Sequence, residues 1–183
     1  MIENPIYIFS YGSNLLIERI SERIKTVRVV SKYNLQGYRL IFNKASEDGS
    51  VKANIEESPE PEDSVWGIIH KFDRKEKFIL DWHETLGYGY QLICFQVKLN
   101  GYTETVHTYM VNESRFKKIG KPYSWYLKLV IAGAIQNRFP EVYINKLKAI
   151  KSVHDANADR RLKNERIIKA TNLLLCLSIL ILA

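Results

Sequence analysis

Ile6-Tyr7-Ile8-Phe9-Ser10-Tyr11-Gly12-Ser13-Asn14-Leu15-Leu16 decides how the chain is read. Residues of strand character run from Ile6 to Ser10 into Tyr11-Gly12-Ser13-Asn14. A helical pattern starts at once, with Leu16, Ile20 and Ile24 spaced by four. A strand that ends in a glycine turn and opens a helix leaves backbone N–H groups pointing outward. Such a nest suits an anion, a carboxylate or a developing oxyanion. Gly12 lets the backbone approach a ligand closely, and Ser13 or Asn14 is expected to cap the helix that begins near Leu15. The plain alternative is a well-capped strand–turn–helix that binds nothing, and the stretch alone does not separate the two.

Downstream of it, Thr26 to Val30, Gly37 to Phe42 and Val51 to Glu56 read as strands. Ser58 to Asp63 is an acidic, proline-bearing loop. Val65-Trp66-Gly67-Ile68-Ile69-His70-Lys71-Phe72 is nearly continuous in apolar character, as a strand buried on both faces should be. Asp73 is placed to cap a helix from Arg74 to about Trp82. A polar bend, His83 to Gly89, then leads into a strand from Tyr90 to Lys98. Asn100-Gly101 signals a hairpin, and Thr103 to Val111 is the returning strand. Helices follow: Ser124 to Gln136 with an apolar stripe, Asn137 as a left-handed stop, and another from Pro140. Strands first and helices after predict an α+β fold, with a mixed or antiparallel sheet curled into a small barrel.

The chain has 183 residues, enough for a single domain with a real core. Its net charge of +7 comes from 27 basic and 20 acidic residues that are scattered along the sequence. No recognisable nucleic-acid module accompanies them, so no nucleic-acid partner is expected. Cys94 and Cys176 stand in no metal-ligand spacing and form no disulfide framework, which fits a reducing, cytoplasmic setting. The start of the chain does not read as a signal peptide. Phosphate-loop, zinc-protease and nucleophile-elbow motifs are missing, and no metal is expected.

Glu84 is the residue singled out for chemistry. It follows an apolar helix ending in Leu80-Asp81-Trp82 and precedes a glycine-rich bend. Walled by Trp82 and tyrosines, its carboxylate would be partly desolvated, a setting that suits a general base. Asp81 is a rival for that work. Tyr109, in the strand after the hairpin, is either a core tyrosine or a pocket wall. His70, His83, His107 and His154 are dispersed and read as structural.

These pieces together resemble the γ-glutamylcyclotransferase family of the γ-glutamyl-amino-acid type, within the AIG2-like cyclotransferases. The resemblance runs through Tyr7 to Leu16, Val65 to Ile69, Leu80 to Glu84, Tyr109-Met110 and the helices from Tyr126 to Ile150, covering residues 5 to 152. It implies a small mixed-strand barrel with flanking helices and a homodimer. It also implies an enzyme that cyclises the γ-glutamyl group of γ-glutamyl-amino acids to 5-oxoproline in glutathione metabolism, without metal or organic cofactor. By resemblance, Glu84 falls where the family has its general acid/base. The segment Ile8, Phe9, Ser10, Tyr11, Gly12, Ser13, Asn14 and Leu15 would hold the γ-glutamyl group through backbone N–H groups, with Tyr109 lining the pocket. On this reading the side chains of Ser13 and Asn14 mainly hold the loop. A relative that cleaves γ-glutamyl-amines or glutathione, or one that only binds a small acidic ligand, is the alternative.

Thr85 stands where the family commonly has glycine after its glutamate, and Arg138 stands at a family glycine in the C-terminal turn. Asn137 is expected to take over the left-handed position there. Residues 153–183 extend the domain as a charged helix with an apolar end. A helix over 170–183 would be about 21 Å long, short of the roughly 30 Å of a bilayer core. A weak membrane contact through that tail is therefore an expectation kept beside that of a mobile or oligomer-buried extension.

Overall fold

Val65 to Phe72 forms the heart of β5 (Ser64–Asp73), and the sheet is built around it. The computed structural model describes residues 2, 4–111 and 117–181, with side chains as far as Thr171. β5 pairs antiparallel on one side with β2 (Arg28–Gln36) and on the other with β1 (Pro5–Ser10). A strand flanked on both sides and covered on both faces needs apolar residues almost throughout, as its sequence has. β1 in turn runs parallel to β7 (Tyr102–Met110), and β7 pairs antiparallel with β6 (Gln91–Leu99). The five strands lie in the order β2-β5-β1-β7-β6. β3 (Tyr38–Ala45) and β4 (Val51–Glu57) form a separate two-stranded ribbon. Asn54 ties the ribbon to the sheet by accepting the Val111 N–H at 2.8 Å. The sheet and ribbon make the curled half-barrel of a mixed α+β fold, with helices flanking it.

Those helices are α1 (Ile17–Ser21), α2 (Lys77–His83), α3 (Ser124–Gln136), α4 (Glu141–Lys148) and α5 (Ala158–Ile181). Short 3-10 turns, Ser13–Leu15 and Arg74–Glu76, precede α1 and α2. Asp73 caps the second of these by accepting from the Lys75 N–H, as its sequence position predicts. Asn100 and Gly101 both take positive φ, 51° and 87°, the mirror-image turn that an Asn-Gly hairpin requires.

Alternation along β1 sends its side chains to opposite cores. Ile6 and Ile8 join Ile20, Ile24, Phe72 and Leu80 on one side. Phe9 and Tyr11 join α3 and the ribbon on the other. The end of β1 is where the two cores meet, and the site lies there.

Three expectations change. β2 begins at Arg28 rather than Thr26 and runs on to Gln36. It is a sheet edge, so its outer face is solvated and its apolar alternation is diluted. Neither Ser13 nor Asn14 caps α1, because Gly12 and Leu16 hold the cap positions and the Asn14 side chain is engaged elsewhere. At the end of α3, Asn137 keeps φ near −90° and Arg138 takes the left-handed conformation at 52°. The Asn137 side chain is occupied in donating to the carbonyls of Leu15 and Gly133 at 2.9 and 2.7 Å.

α5 packs on α3 along its first half, with Ile167 and Thr171 buried. Its apolar end falls beyond the described side chains. Among the described residues, no helix is long and apolar enough to cross a membrane.

Candidate active site

β1 and β7 run parallel, so their carboxyl ends open on the same side, the usual place for a crevice beside a sheet. Into that crevice the chain sends the turn that follows β1. Its carbonyls are consumed inward. Thr108 Oγ1 donates to the Phe9 carbonyl at 2.9 Å. The N–H groups of Leu15 and Leu16 donate to the carbonyls of Gly12 and Ser13 at 3.0 and 3.4 Å. His70 Nε2 lies 3.1 Å from the Asn14 carbonyl. Burial pushes the His70 imidazole down to about 4, so it is neutral at physiological pH and donates through Nε2. With the carbonyls held, the N–H groups of Gly12 and Asn14 make no hydrogen bond among the described residues. Gly12 is packed tightly as well. A Cβ there would sit 3.1 Å from the Tyr126 hydroxyl and 3.3 Å from Ala53.

Glu84 comes from the other side of the crevice, as the residue that ends α2. A carboxylate at a helix C-terminus faces the partial negative charge of the last carbonyls. Two donors offset this. Asn14 Nδ2 donates to Glu84 Oε1 at 2.9 Å, and Arg23 Nη1 donates to the same oxygen at 3.3 Å. Arg23 also donates to Asn14 Oδ1 at 3.3 Å, closing a triangle. Both bonds fall on Oε1, and Oε2 accepts none among the described residues. The carboxylate is thus oriented through one oxygen and left with free lone pairs on the other.

Tyrosines complete the wall. Tyr11 donates its hydroxyl to the Tyr109 carbonyl, and Tyr90 donates to the Ala53 carbonyl at 2.7 Å. Tyr126 accepts the Ala53 N–H at 3.2 Å, and burial raises its hydroxyl to about 12. Tyr109 donates to Asp81 Oδ1 at 2.6 Å, and burial followed by that carboxylate raises its hydroxyl well above the usual range. These phenols stay protonated at any physiological pH. They wall the cavity and donate, and they take no proton.

The result is a cavity lined by Ile8, Phe9, Ser10, Tyr11, Gly12, Ser13, Asn14, Glu84 and Tyr109 among the residues named from sequence. Leu15 does not line it. Its side chain is buried against α3, where a Cβ on Gly133 would fall 2.7 Å from the neighbouring Leu16 nitrogen. Asp81 is otherwise employed, with both oxygens 2.7 Å from Lys77 Nζ and one also holding Tyr109. Trp82 is 75% exposed and is no wall to Glu84. Leu80, Ala53, Tyr90 and Tyr126 take that place. Asn14 does more than hold its loop, since its amide touches the carboxylate. Arg23, Tyr90 and Tyr126 were not legible as site residues, because a local pattern does not show what a side chain meets across the crevice: Arg23 reaches Glu84, and Tyr90 and Tyr126 line the cavity.

The model of the AIG2-like family matches residues 64–147. The γ-glutamylcyclotransferase of Homo sapiens is 31% identical over 157 residues, which is 81% of this chain and 80% of that protein. The Mus musculus γ-glutamylcyclotransferase is 32% identical over 152 residues, 78% of this chain and 77% of its own length. A solved structure titled γ-glutamyl cyclotransferase superposes with a TM-score of 0.78 at 30% identity, covering 91% of this chain and 99% of that one.

Proposed function

The chain belongs to the γ-glutamylcyclotransferase family, and from that premise we propose that it cyclises the γ-glutamyl group of γ-glutamyl-amino acids to 5-oxoproline. The observation that carries the reading is the opposition of two features across one cavity. Among the described residues, Glu84 has Oε1 tethered and Oε2 without a hydrogen bond, and the turn facing it has the carbonyls of Gly12, Ser13 and Asn14 satisfied and the N–H groups of Gly12 and Asn14 unused.

That opposition matches the needs of the reaction. The substrate carries its own nucleophile, the α-amine, and its own electrophile, the γ-carbonyl, so the protein mainly folds it into a near-attack geometry. Glu84 takes a proton from the α-ammonium, and the freed amine attacks the γ-carbonyl carbon. The carbonyl oxygen becomes an oxyanion, which the N–H groups of the turn stabilise more strongly than the ground-state carbonyl. The new C–N bond closes the five-membered ring. Glu84 returns its proton to the leaving nitrogen as the tetrahedral centre collapses and the old C–N bond breaks; the ring nitrogen then gives up its second proton, again through Glu84, to the released amine, which leaves as an ammonium. Products are 5-oxoproline and the free amino acid. Every proton that Glu84 takes it gives back, so one carboxylate suffices.

The test is incubation with γ-glutamyl-alanine, following 5-oxoproline, beside Glu84→Gln. Glutamine keeps the hydrogen bonds to its oxygen but removes the base. We expect parental turnover and a fall in kcat of about a thousandfold in the variant, with KM within a few-fold. Equal turnover in both would take Glu84 out of the mechanism. Silence of the parent on every γ-glutamyl substrate would leave a small-ligand-binding role.

A further inference from the structure

A second cavity adjoins the first and shares Ser13, Glu84, Tyr90 and Tyr126 with it. Where the first is walled by tyrosines and backbone, this one is lined by Arg19, Arg23, Lys44 and Lys52. Their countercharges are unevenly supplied. Arg23 faces Glu84. Lys52 is held by Asp48 at 2.6 Å and sits against the rings of Trp125 and Tyr126 at 4.8 and 4.9 Å. Arg19 reaches Glu22 at 3.6 Å through Nη1, while its buried Nε has no acceptor among the described residues. Lys44 forms no ion pair among the described residues, and its Nζ stands 5.2 Å from the centre of the Tyr90 ring.

Cations brought out of water without a partner are costly, and a site that keeps them is short of an anion. Burial lowers the Lys44 ammonium from its ordinary value, and burial followed by the like charge of Arg23 lowers the Arg19 guanidinium to about 10. His83, also lining the chamber, is lowered by burial and by Arg23 and Arg19. The chamber is therefore a positive field that opens beside Glu84.

Resting on the cyclotransferase reading, we propose that Lys44 and Arg19 form the subsite for the carboxylate of the departing amino acid, and so select γ-glutamyl-amino acids over γ-glutamyl-amines. The leaving half of a γ-glutamyl-amino acid carries its carboxylate one carbon from the scissile nitrogen. When that nitrogen is beside Glu84, the carboxylate falls in the cationic chamber. A γ-glutamyl-amine puts an uncharged group there and leaves Lys44 and the Arg19 Nε unmatched.

The experiment compares kcat/KM for γ-glutamyl-alanine and γ-glutamyl-alaninamide, which differ only in that carboxylate, in the parent, Lys44→Gln, Lys44→Arg and Arg19→Gln. The parent should prefer the carboxylate about tenfold or more, mainly through KM. Lys44→Gln should bring the ratio towards one, Arg19→Gln should lower it in part, and Lys44→Arg should retain it. Equal efficiency of the parent on the two substrates overturns the subsite whatever the variants do. An unchanged ratio in a folded Lys44→Gln overturns the assignment of Lys44. Absence of 5-oxoproline from both substrates fails the cyclotransferase reading itself, and is distinct from the two outcomes above.

Discussion

Asn14 lines the cavity, and its side chain meets more than its own loop. Its place in the turn after β1 was plain, but its amide contacts Glu84, which lies 70 positions on, and accepts from Arg23 as well. A strand–turn–helix pattern speaks of backbone and caps. It carries no information on what a side chain meets across a crevice, so neither the contact of Arg23 with Glu84 nor that of the Asn14 amide can be read from it. The geometry assigns Asn14 to aiming the carboxylate. Asn14→Ala removes the 2.9 Å bond on Oε1 and leaves Glu84 free to rotate about its last torsions. The turn itself should survive, since His70 holds the Asn14 backbone carbonyl and not its side chain. We expect kcat to fall about 10- to 100-fold, with a smaller change in KM and an unchanged melting temperature. Parental kcat in this variant would mean that Arg23 alone positions the base.

At the level of elements, legibility followed burial. β5, α3 and the β6–β7 hairpin were read with small errors at their ends, because each has an unambiguous pattern: a continuous apolar run, a helical stripe, an Asn-Gly turn. β2 was misplaced because a solvated edge dilutes alternation. Helix ends were least legible, and for a specific reason. α2 and α3 both stop at residues in the left-handed region that are not glycine, Thr85 at φ 51° and Arg138 at 52°. An L side chain there costs about 1–2 kcal/mol, and β-branched Thr85 is the worse case, with a buried Oγ1 that has no partner among the described residues. No local rule would place a threonine or arginine there. Glycine should relieve both positions, partly offset by the greater freedom it gives the unfolded chain. Arg138→Gly is expected to stabilise by about 0.5 kcal/mol and Thr85→Gly by about 1 kcal/mol. Urea melts with unchanged slope would read both. A loss of stability in Thr85→Gly would show that its packing on the bend outweighs the strain.

For the molecule as a whole, two buried titratable groups tie distant parts of the fold to pH. His70, buried in β5, holds the turn that follows β1. Asp155, fully buried, ties the segment leading into α5 to the core by accepting from Trp125 Nε1 at 2.8 Å and from Arg160 at 2.6 and 2.7 Å. His70 is neutral when folded and refuses a proton down to about pH 4, whereas the unfolded chain accepts one near 6.5. Between those values acid favours unfolding, so stability rises with pH across that window. Asp155 works in a lower range. The hydrogen bonds of Arg160, opposed by burial but joined by Trp125, hold its carboxyl well below the usual carboxylate value. Its contribution is present above the unfolded value near 4 and is lost as pH falls through the folded one. The unfolding free energy should therefore be level above about pH 7. It should drop by roughly 2 kcal/mol at pH 5 from His70 alone, with His83 and His107, both lowered by burial, adding in the same direction. A second, steeper loss should follow below about pH 4. His70→Gln, whose amide can still donate to the Asn14 carbonyl, should flatten the first step and leave the second. Asp155→Asn should do the reverse, while lowering stability at neutral pH by about 2 kcal/mol through the loss of its charge-assisted bonds. Urea unfolding at several pH values between 3.5 and 8 separates the two. A first step of full size in folded His70→Gln would show that the turn is held without this histidine, and that the acid sensitivity arises elsewhere.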